Sequence, residues 1–295
     1  KGDQMKLSKI GIGCRYFGQF PTGIVYDIVK SAIINGINWF DTAEYYKGSE
    51  EALKNSLYCN GQRADEVFIA TKWFPMFRTA SNIVKTIGDR TQKLSPYPIS
   101  LYQIHHPLGF SSTKKEMEAM AILLKSGQIK NVGVCNYSVE KMICAWEVLQ
   151  RSGIRLFSNQ VKYNLLDREI ENNGLLEASK ELGIVIIAHS PLELGILTGK
   201  FHKHPELLDN IGERKRSYWF KPEGIKKSEP VIKVIENLCK KYNVTASQVA
   251  LSWLIHHKSV FAIPGATSGR QAVENAITMK FKMSEKDYKL LDGLK

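Results

Sequence analysis

The chain has 295 residues, 24% of them charged and 43% hydrophobic, proportions ordinary for one large globular domain or two modest ones. No apolar run approaches the ~20 residues that span a bilayer, so no membrane-spanning segment is expected. The formal charge of +12 is scattered, and no recognition-helix pattern or zinc-finger spacing accompanies it, so an anionic cofactor or a solvated surface explains it better than nucleic acid.

Strand-like and helix-like segments alternate from one end to the other. Ile10-Gly11-Ile12-Gly13 is the first strand, followed by a helix from about Tyr26 to Asn35. Asn38-Trp39-Phe40, entered through Gly36-Ile37, is a short buried strand that runs into Asp41-Thr42-Ala43-Glu44-Tyr45-Tyr46. A helix from Ser49 to Leu57 comes next. Val67 to Thr71 is the third strand, ending in Lys72, with a helix over Ser81 to Leu94 behind it. Leu101 to Ile104 is the fourth, ending in His105. The following helix, Thr113 to Ser126, opens with a capping-box pattern, Thr113-Lys114-Lys115-Glu116.

The second half repeats the rhythm. Val132 to Cys135 leads into a helix over Ser138 to Ser152, with Met142, Ala145, Trp146 and Leu149 on its inner face. Asn159 to Asn164 and the almost wholly apolar Ile184 to Ala188 are strands six and seven, separated by a helix near Leu175 to Leu182. A long polar and aromatic loop from Gly195 to about Ile225 contains the densest basic cluster, Arg214-Lys215-Arg216. Helices over Ser228 to Tyr242 and Ala246 to His256 follow, the second behind the capping box Thr245-Ala246-Ser247-Gln248. Val260 to Ile263 is the eighth strand. Helices over Gly269 to Ile277 and from Ser284 onward complete the chain.

Eight strands, each followed by a helix and with no linker between them, predict a single α/β domain over residues 1–295, a (β/α)8 TIM barrel. A doubly wound sheet is the alternative for such alternation. Its dinucleotide fingerprint fails here, because Gly11-Ile12-Gly13-Cys14-Arg15-Tyr16 has Tyr where the third Gly belongs. The five cysteines are dispersed without a Cys-x-x-Cys, which argues for a reducing compartment and against a disulfide framework or metal site. Lys1-Gly2-Asp3-Gln4 lacks the apolar stretch of a signal peptide, so a cytoplasmic location is expected.

In a barrel all strand exits face one end, and that end carries the active site. Asp41, Tyr46, Lys72 and His105 therefore converge from strands two, three and four. Each alone has an ordinary structural reading: an ion pair, a packed ring, a satisfied loop histidine. Together they make an acid site. A phenol with a pKa near ~10 is a poor acid unless a cation stabilises its anion. Lys72 supplies that cation, Asp41 holds it, and His105 hydrogen-bonds a substrate oxygen. Such a site protonates a carbonyl oxygen while something else delivers a hydride.

These residues carry a resemblance. Trp39-Phe40-Asp41-Thr42-Ala43-x-x-Tyr46, Ile69-Ala70-Thr71-Lys72 and Leu101-Tyr102-Gln103-Ile104-His105-His106-Pro107 are similar to the signatures of the aldo-keto reductases, and the similarity runs from Ile10 to Asn275. The resemblance implies an NADP(H)-dependent reductase of aldehydes or ketones with a small-molecule carbonyl substrate, NAD(H) being possible. Asp41, Tyr46, Lys72 and His105 fall on the family's catalytic tetrad.

The resemblance also implies the cofactor contacts. Asn136, in Gly133-Val134-Cys135-Asn136-Tyr137, and Gln160 match the carboxamide contacts, and Asp41 also counts among the cofactor-binding residues. His189 stands where an aromatic residue stacks on nicotinamide, and Ser190, Pro191, Leu192 and Lys200 line the pyrophosphate. Gly265, Thr267, Ser268, Arg270, Gln271, Glu274 and Asn275 resemble the adenosine-phosphate segment. Gly265 and Gln271 replace basic residues there, and Arg270 can substitute for them. Cys14 and Arg15 lie at the first strand's exit, also against the cofactor, and Arg15 faces the substrate with Tyr46, Trp73 and His105. Loop aromatics (Trp73, Phe74, Phe77, Phe110, Tyr218, Trp219, Phe220) suggest an apolar substrate wall. His189 titrates near ~6.5 when unperturbed, so lowering pH from about 8 to about 5.5 is expected to weaken NADP+ binding more than NADPH binding.

Two other readings stay open. Lys72 as a Schiff-base nucleophile would make the protein a barrel aldolase. A regulatory subunit is the other, since potassium-channel β subunits resemble the same family. Oligomeric state is not legible.

Overall fold

Parallel pairing in chain order arranges eight strands into one sheet: β1 (Ile12–Gly13), β2 (Trp39–Asp41), β3 (Phe68–Trp73), β4 (Leu101–Ile104), β5 (Val132–Cys135), β6 (Leu156–Lys162), β7 (Val185–His189) and β8 (Val260–Ala262). The computed structural model describes residues 6–294; Lys1-Gly2-Asp3-Gln4 and Met5 lie outside them. The sheet closes on itself. Gly11 N donates to Ala262 O at 2.9 Å, and Ala262 N donates to Lys9 O at 3.0 Å, so the first and last strands meet. Only glycine fits at that seam, because a Cβ on Gly11 would sit 2.4 Å from the Trp39 ring.

Helices cover the outside: α1 (Thr22–Ile34), α2 (Ser49–Cys59), α3 (Ser81–Leu94), α4 (Thr113–Lys125), α5 (Val139–Gln150), α6 (Glu169–Asn172), α7 (Leu175–Glu181), α8 (Lys200–Lys203), α9 (Pro222–Tyr242), α10 (Ala246–His256), α11 (Gly269–Ile277) and α12 (Glu285–Asp292). The expected barrel is the observed one. No helix among the described residues is long and apolar enough to cross a membrane.

Several boundaries differ for physical reasons. Helix α9 begins at Pro222, six residues before the expected Ser228, because proline at the first turn loses no hydrogen bond. The capping box at Thr113 does not form. Ser112 is the N-cap, accepting from Lys115 N at 3.4 Å, while the Glu116 carboxylate turns inward to accept from Tyr137 Oη at 2.8 Å. The box at Thr245 and Gln248 does form, with both reciprocal bonds present. The segment after Gly195 is not a bare loop. It contains α8 and short 3-10 turns that bury Ile196, Phe201 and Phe220 in a satellite core.

The barrel interior is layered by strand alternation. Trp39, Ala70, Leu101 and Ile187 form an apolar layer with Ile263. Two residues further along the same strands, on the same face, come Asp41, Lys72, Gln103 and His189. The apolar layer seals the barrel, and the polar layer above it is the floor of the mouth.

Candidate active site

The Lys72 ammonium is the centre of that floor. Its side chain is wholly buried and is ion-paired with Asp41 Oδ1. It also donates to Thr42 O at 2.9 Å. Asp41 Oδ2 is held by two amides, accepting from Gln160 Nε2 at 2.8 Å and Gln103 Nε2 at 3.2 Å. Burial alone would pull the ammonium down, but the Asp41 carboxylate keeps Lys72 above its ordinary value, so it stays charged.

Tyr46 and His105 sit above this pair. The Lys72 Nζ lies 5.1 Å from the Tyr46 ring centroid, and the Tyr46 and His105 rings meet edge-to-face at 5.5 Å. Burial raises the Tyr46 phenol, and the Lys72 charge is the largest influence pulling the other way. The phenol thus keeps its proton at neutral pH. Desolvation first, and Lys72 next, push His105 down to about 2, so its imidazole is a neutral hydrogen-bonding group. It stacks on His106 with ring centroids 4.7 Å apart.

The opposite side of the mouth holds amides and an imidazole. Asn136 Nδ2 donates to His105 O at 3.3 Å, and Asn136 Oδ1 lies 3.2 Å from His189 Nε2. Asn136 N donates to Gln160 O at 2.9 Å, which places both amides at adjoining strand ends. Four non-glycine residues here adopt left-handed backbone: Asn136 (φ 58), Ser190 (φ 51), Glu193 (φ 45) and Leu194 (φ 53). Conformations of this kind concentrate at functional sites. Lys200 lies near Arg214, and neither joins an ion pair among the described residues.

The His189 expectation needs correction. Burial, with the charges of Lys72 and Lys162, pushes its imidazole down to about 3, so it does not ionise between pH 8 and 5.5. The ratio of NADP+ to NADPH affinity should therefore stay flat from about pH 8 to about 5.5. Titration of both cofactors against tryptophan fluorescence checks this, and a ratio that moves tenfold would restore the charged ring.

The N-terminus of α11 packs against α1. Ser268 Oγ caps the helix, accepting from Gln271 N at 3.4 Å, and Gly269 N donates to Asp27 Oδ2 at 2.9 Å. Gln271 Oε1 accepts from Thr267 N at 2.8 Å. Arg270 is exposed and paired with Glu274 at 3.3 Å, and Asn275 Nδ2 donates to Gly265 O at 3.4 Å.

Other predicted residues are placed differently. Trp73 is no loop residue. It continues β3, is fully buried, and its indole donates to Asn82 Oδ1 at 3.0 Å, on the side away from Lys72. The Cys14 thiol is buried and turned toward Ile12 O at 3.4 Å. Arg15 pairs with Glu213 at 3.4 Å, both side chains being more than half exposed. Tyr45 and Phe74, stacked on each other at 4.4 Å, both meet the His105 ring edge-on, at 6.4 and 6.0 Å. Sequence reasoning missed Gln103, an Asp41 partner hidden inside an ordinary strand.

The match to known proteins agrees with this geometry. A model of the Aldo/keto reductase family matches residues 9–295. An uncharacterised oxidoreductase of Mycobacterium tuberculosis is 34% identical over 291 residues, covering 95% of this chain and 86% of its own. The NADH-specific methylglyoxal reductase of Escherichia coli is 27% identical over 307 residues, covering 96% of this chain and 90% of its own. A solved aldo/keto reductase of Klebsiella pneumoniae, in complex with NADP and acetate, is similar with a TM-score of 0.76 at 25% identity, covering 99% of this chain and 92% of that one. The chain belongs to the aldo/keto reductase family.

Proposed function

We infer that the protein reduces aldehyde or ketone carbonyls to alcohols, with Tyr46 as general acid and NADP(H), or NAD(H), as the redox partner. The observation that carries the reading is the buried Asp41–Lys72 pair beneath the Tyr46 phenol. The nicotinamide cofactor, when bound, supplies the hydride. Tyr46 gives its proton to the carbonyl oxygen, and Lys72 stabilises the phenolate left behind. Neutral His105 orients that oxygen. Asp41, braced by Gln103 and Gln160, keeps the ammonium in place.

The residues present fit the cofactor. Two amides and a neutral imidazole beside the tetrad suit a flat carboxamide-bearing ring. Lys200 and Arg214, which join no ion pair among the described residues, suit phosphate oxygens. Arg270 is the exposed cation at the α11 N-terminus, where Asp27 already occupies the Gly269 N–H. Arg270→Ala should therefore weaken NADPH binding roughly ten- to a hundredfold and leave NADH nearly unchanged, since a charge-assisted contact is worth about 1.5–3 kcal/mol. Equal losses for both cofactors would show that Arg270 does not read the 2′-phosphate.

The aldolase alternative finds less support. A Schiff-base lysine needs a lowered pKa, and Lys72 is held above its ordinary value. All five cysteines are free, which supports a reducing, cytoplasmic setting. A screen of aldehydes, α-dicarbonyls and sugars for NADPH oxidation tests the reading. Turnover of none of these classes, with cofactor bound, would favour a regulatory subunit instead.

A further inference from the structure

The phenol and the ammonium act together only if their separation is fixed, yet they lie on different segments of chain. A line of ions behind β3 joins those segments. Thr71, the residue before Lys72, turns its hydroxyl away from the barrel interior and donates to Glu50 Oε1 at 2.7 Å. Glu50 Oε2 pairs with Arg90 Nε at 2.9 Å, and Arg90 NH1 reaches Glu44 Oε1 at 3.3 Å. The Glu44 carboxylate also accepts from Phe74 N at 3.0 Å and from Arg78 NH1 at 2.6 Å. Its own backbone N–H donates to Lys72 O at 3.1 Å.

The path has a particular layout. Thr71 and Phe74 bracket Lys72 on β3, and Glu44 and Glu50 bracket Tyr46 between β2 and α2. Arg90, on α3, is the tie between the two glutamates. Glu50 and Arg90 are buried, and the Glu44 side chain is 15% exposed.

Packing alone does not account for this arrangement. Exposed ion pairs are worth little, and buried ones rarely improve on apolar residues of the same volume. Buried charges of this kind are better explained by the geometry they enforce. Here the enforced geometry is that of the loop Thr42 to Gly48. It carries Tyr46, and with it Tyr45, whose ring stacks on Phe74 at 4.4 Å.

We propose that Glu44, anchored by Arg78 and Arg90, is a positioning residue that sets the Tyr46 phenol over the Lys72 ammonium. The proposal rests on the tetrad reading given above. A small misplacement of a reacting group costs up to ~10²-fold in rate, so Glu44→Ala should lower kcat by roughly ten- to a hundredfold. Cofactor affinity, read by tryptophan fluorescence, should stay within about twofold, because Glu44 touches none of the expected cofactor contacts. Glu44→Gln keeps the side-chain volume and an acceptor for Phe74 N–H while losing the charge that pairs with Arg78 and Arg90. It should fold like the wild type and fall between the wild type and the alanine variant.

Tyr46→Phe runs alongside as the reference. If it is inactive while both Glu44 variants turn over within about twofold of wild type, the positioning role is overturned and the tetrad stands. If Tyr46→Phe is active, both readings fall together. Parallel losses of kcat, cofactor affinity and melting temperature in Glu44→Gln would reduce Glu44 to a folding residue and overturn the proposal as well.

Discussion

Tyr46→Phe should lose ~10²–10⁴-fold in kcat, the usual worth of general acid catalysis, while binding cofactor as the wild type does. Neither Lys72 nor His105 can take the place of the phenol. Lys72 is held above its ordinary value by Asp41 and is committed to Asp41 and Thr42. His105 is neutral down to about pH 2, so it has no acidic proton to give. Among these groups only the phenol combines a transferable proton with a cation placed to stabilise the anion. Steady-state kinetics on a simple aldehyde, with cofactor affinity measured separately, would decide the matter. Activity within about threefold of wild type would remove Tyr46 from the acid's role.

Asp41→Ala should damage stability as well as activity. The Lys72 side chain is 0% exposed, so removing Asp41 leaves a buried ammonium without its counter-ion. Breaking such a pair costs about 3–5 kcal/mol, which lowers Tm by on the order of 10 °C in a chain of this size. Gln103 and Gln160 lose an acceptor at the same time. The sign with pH follows from the raised lysine value. Its contribution to stability is complete below the ordinary 10.5 and fades only as pH rises through the higher folded value, so a measurement near neutrality reads all of it. The double variant Asp41→Leu with Lys72→Met should recover most of the lost stability and none of the activity. Thermal melts of the two proteins give the comparison. Equal melting temperatures for Asp41→Ala and wild type would mean that water reaches Lys72.

Much of this site was legible because strand exits announce themselves. An apolar run that ends in Asp41, Lys72 or His105 puts a polar group where a packed barrel has no need of one. Alternation also decided what went wrong. Trp73 reads as a mouth residue if β3 stops at Thr71, but the strand continues, and the residue after Lys72 faces the helices instead. Gln103 was hidden for the converse reason: one polar residue in a strand resembles any solvent-facing position. Arg90 and Glu50 lie on helices, where charge ordinarily marks a wet face. Only the packing of α2 and α3 shows them buried. The state of His189 depends on desolvation, and residue order carries no measure of that.

The left-handed residues around the mouth bear on how this protein would respond to selection. Non-glycine side chains at Asn136, Ser190, Glu193 and Leu194 hold backbone that glycine would adopt without strain, at a cost of about 1–3 kcal/mol each. The side chains at Asn136 and Ser190 are also the ones that hold His189 by hydrogen bonds. Directed evolution for heat resistance alone would therefore favour glycine at these two positions. Its winners would be hardier barrels with a loosened imidazole, and the lineage would drift from turnover toward mere endurance.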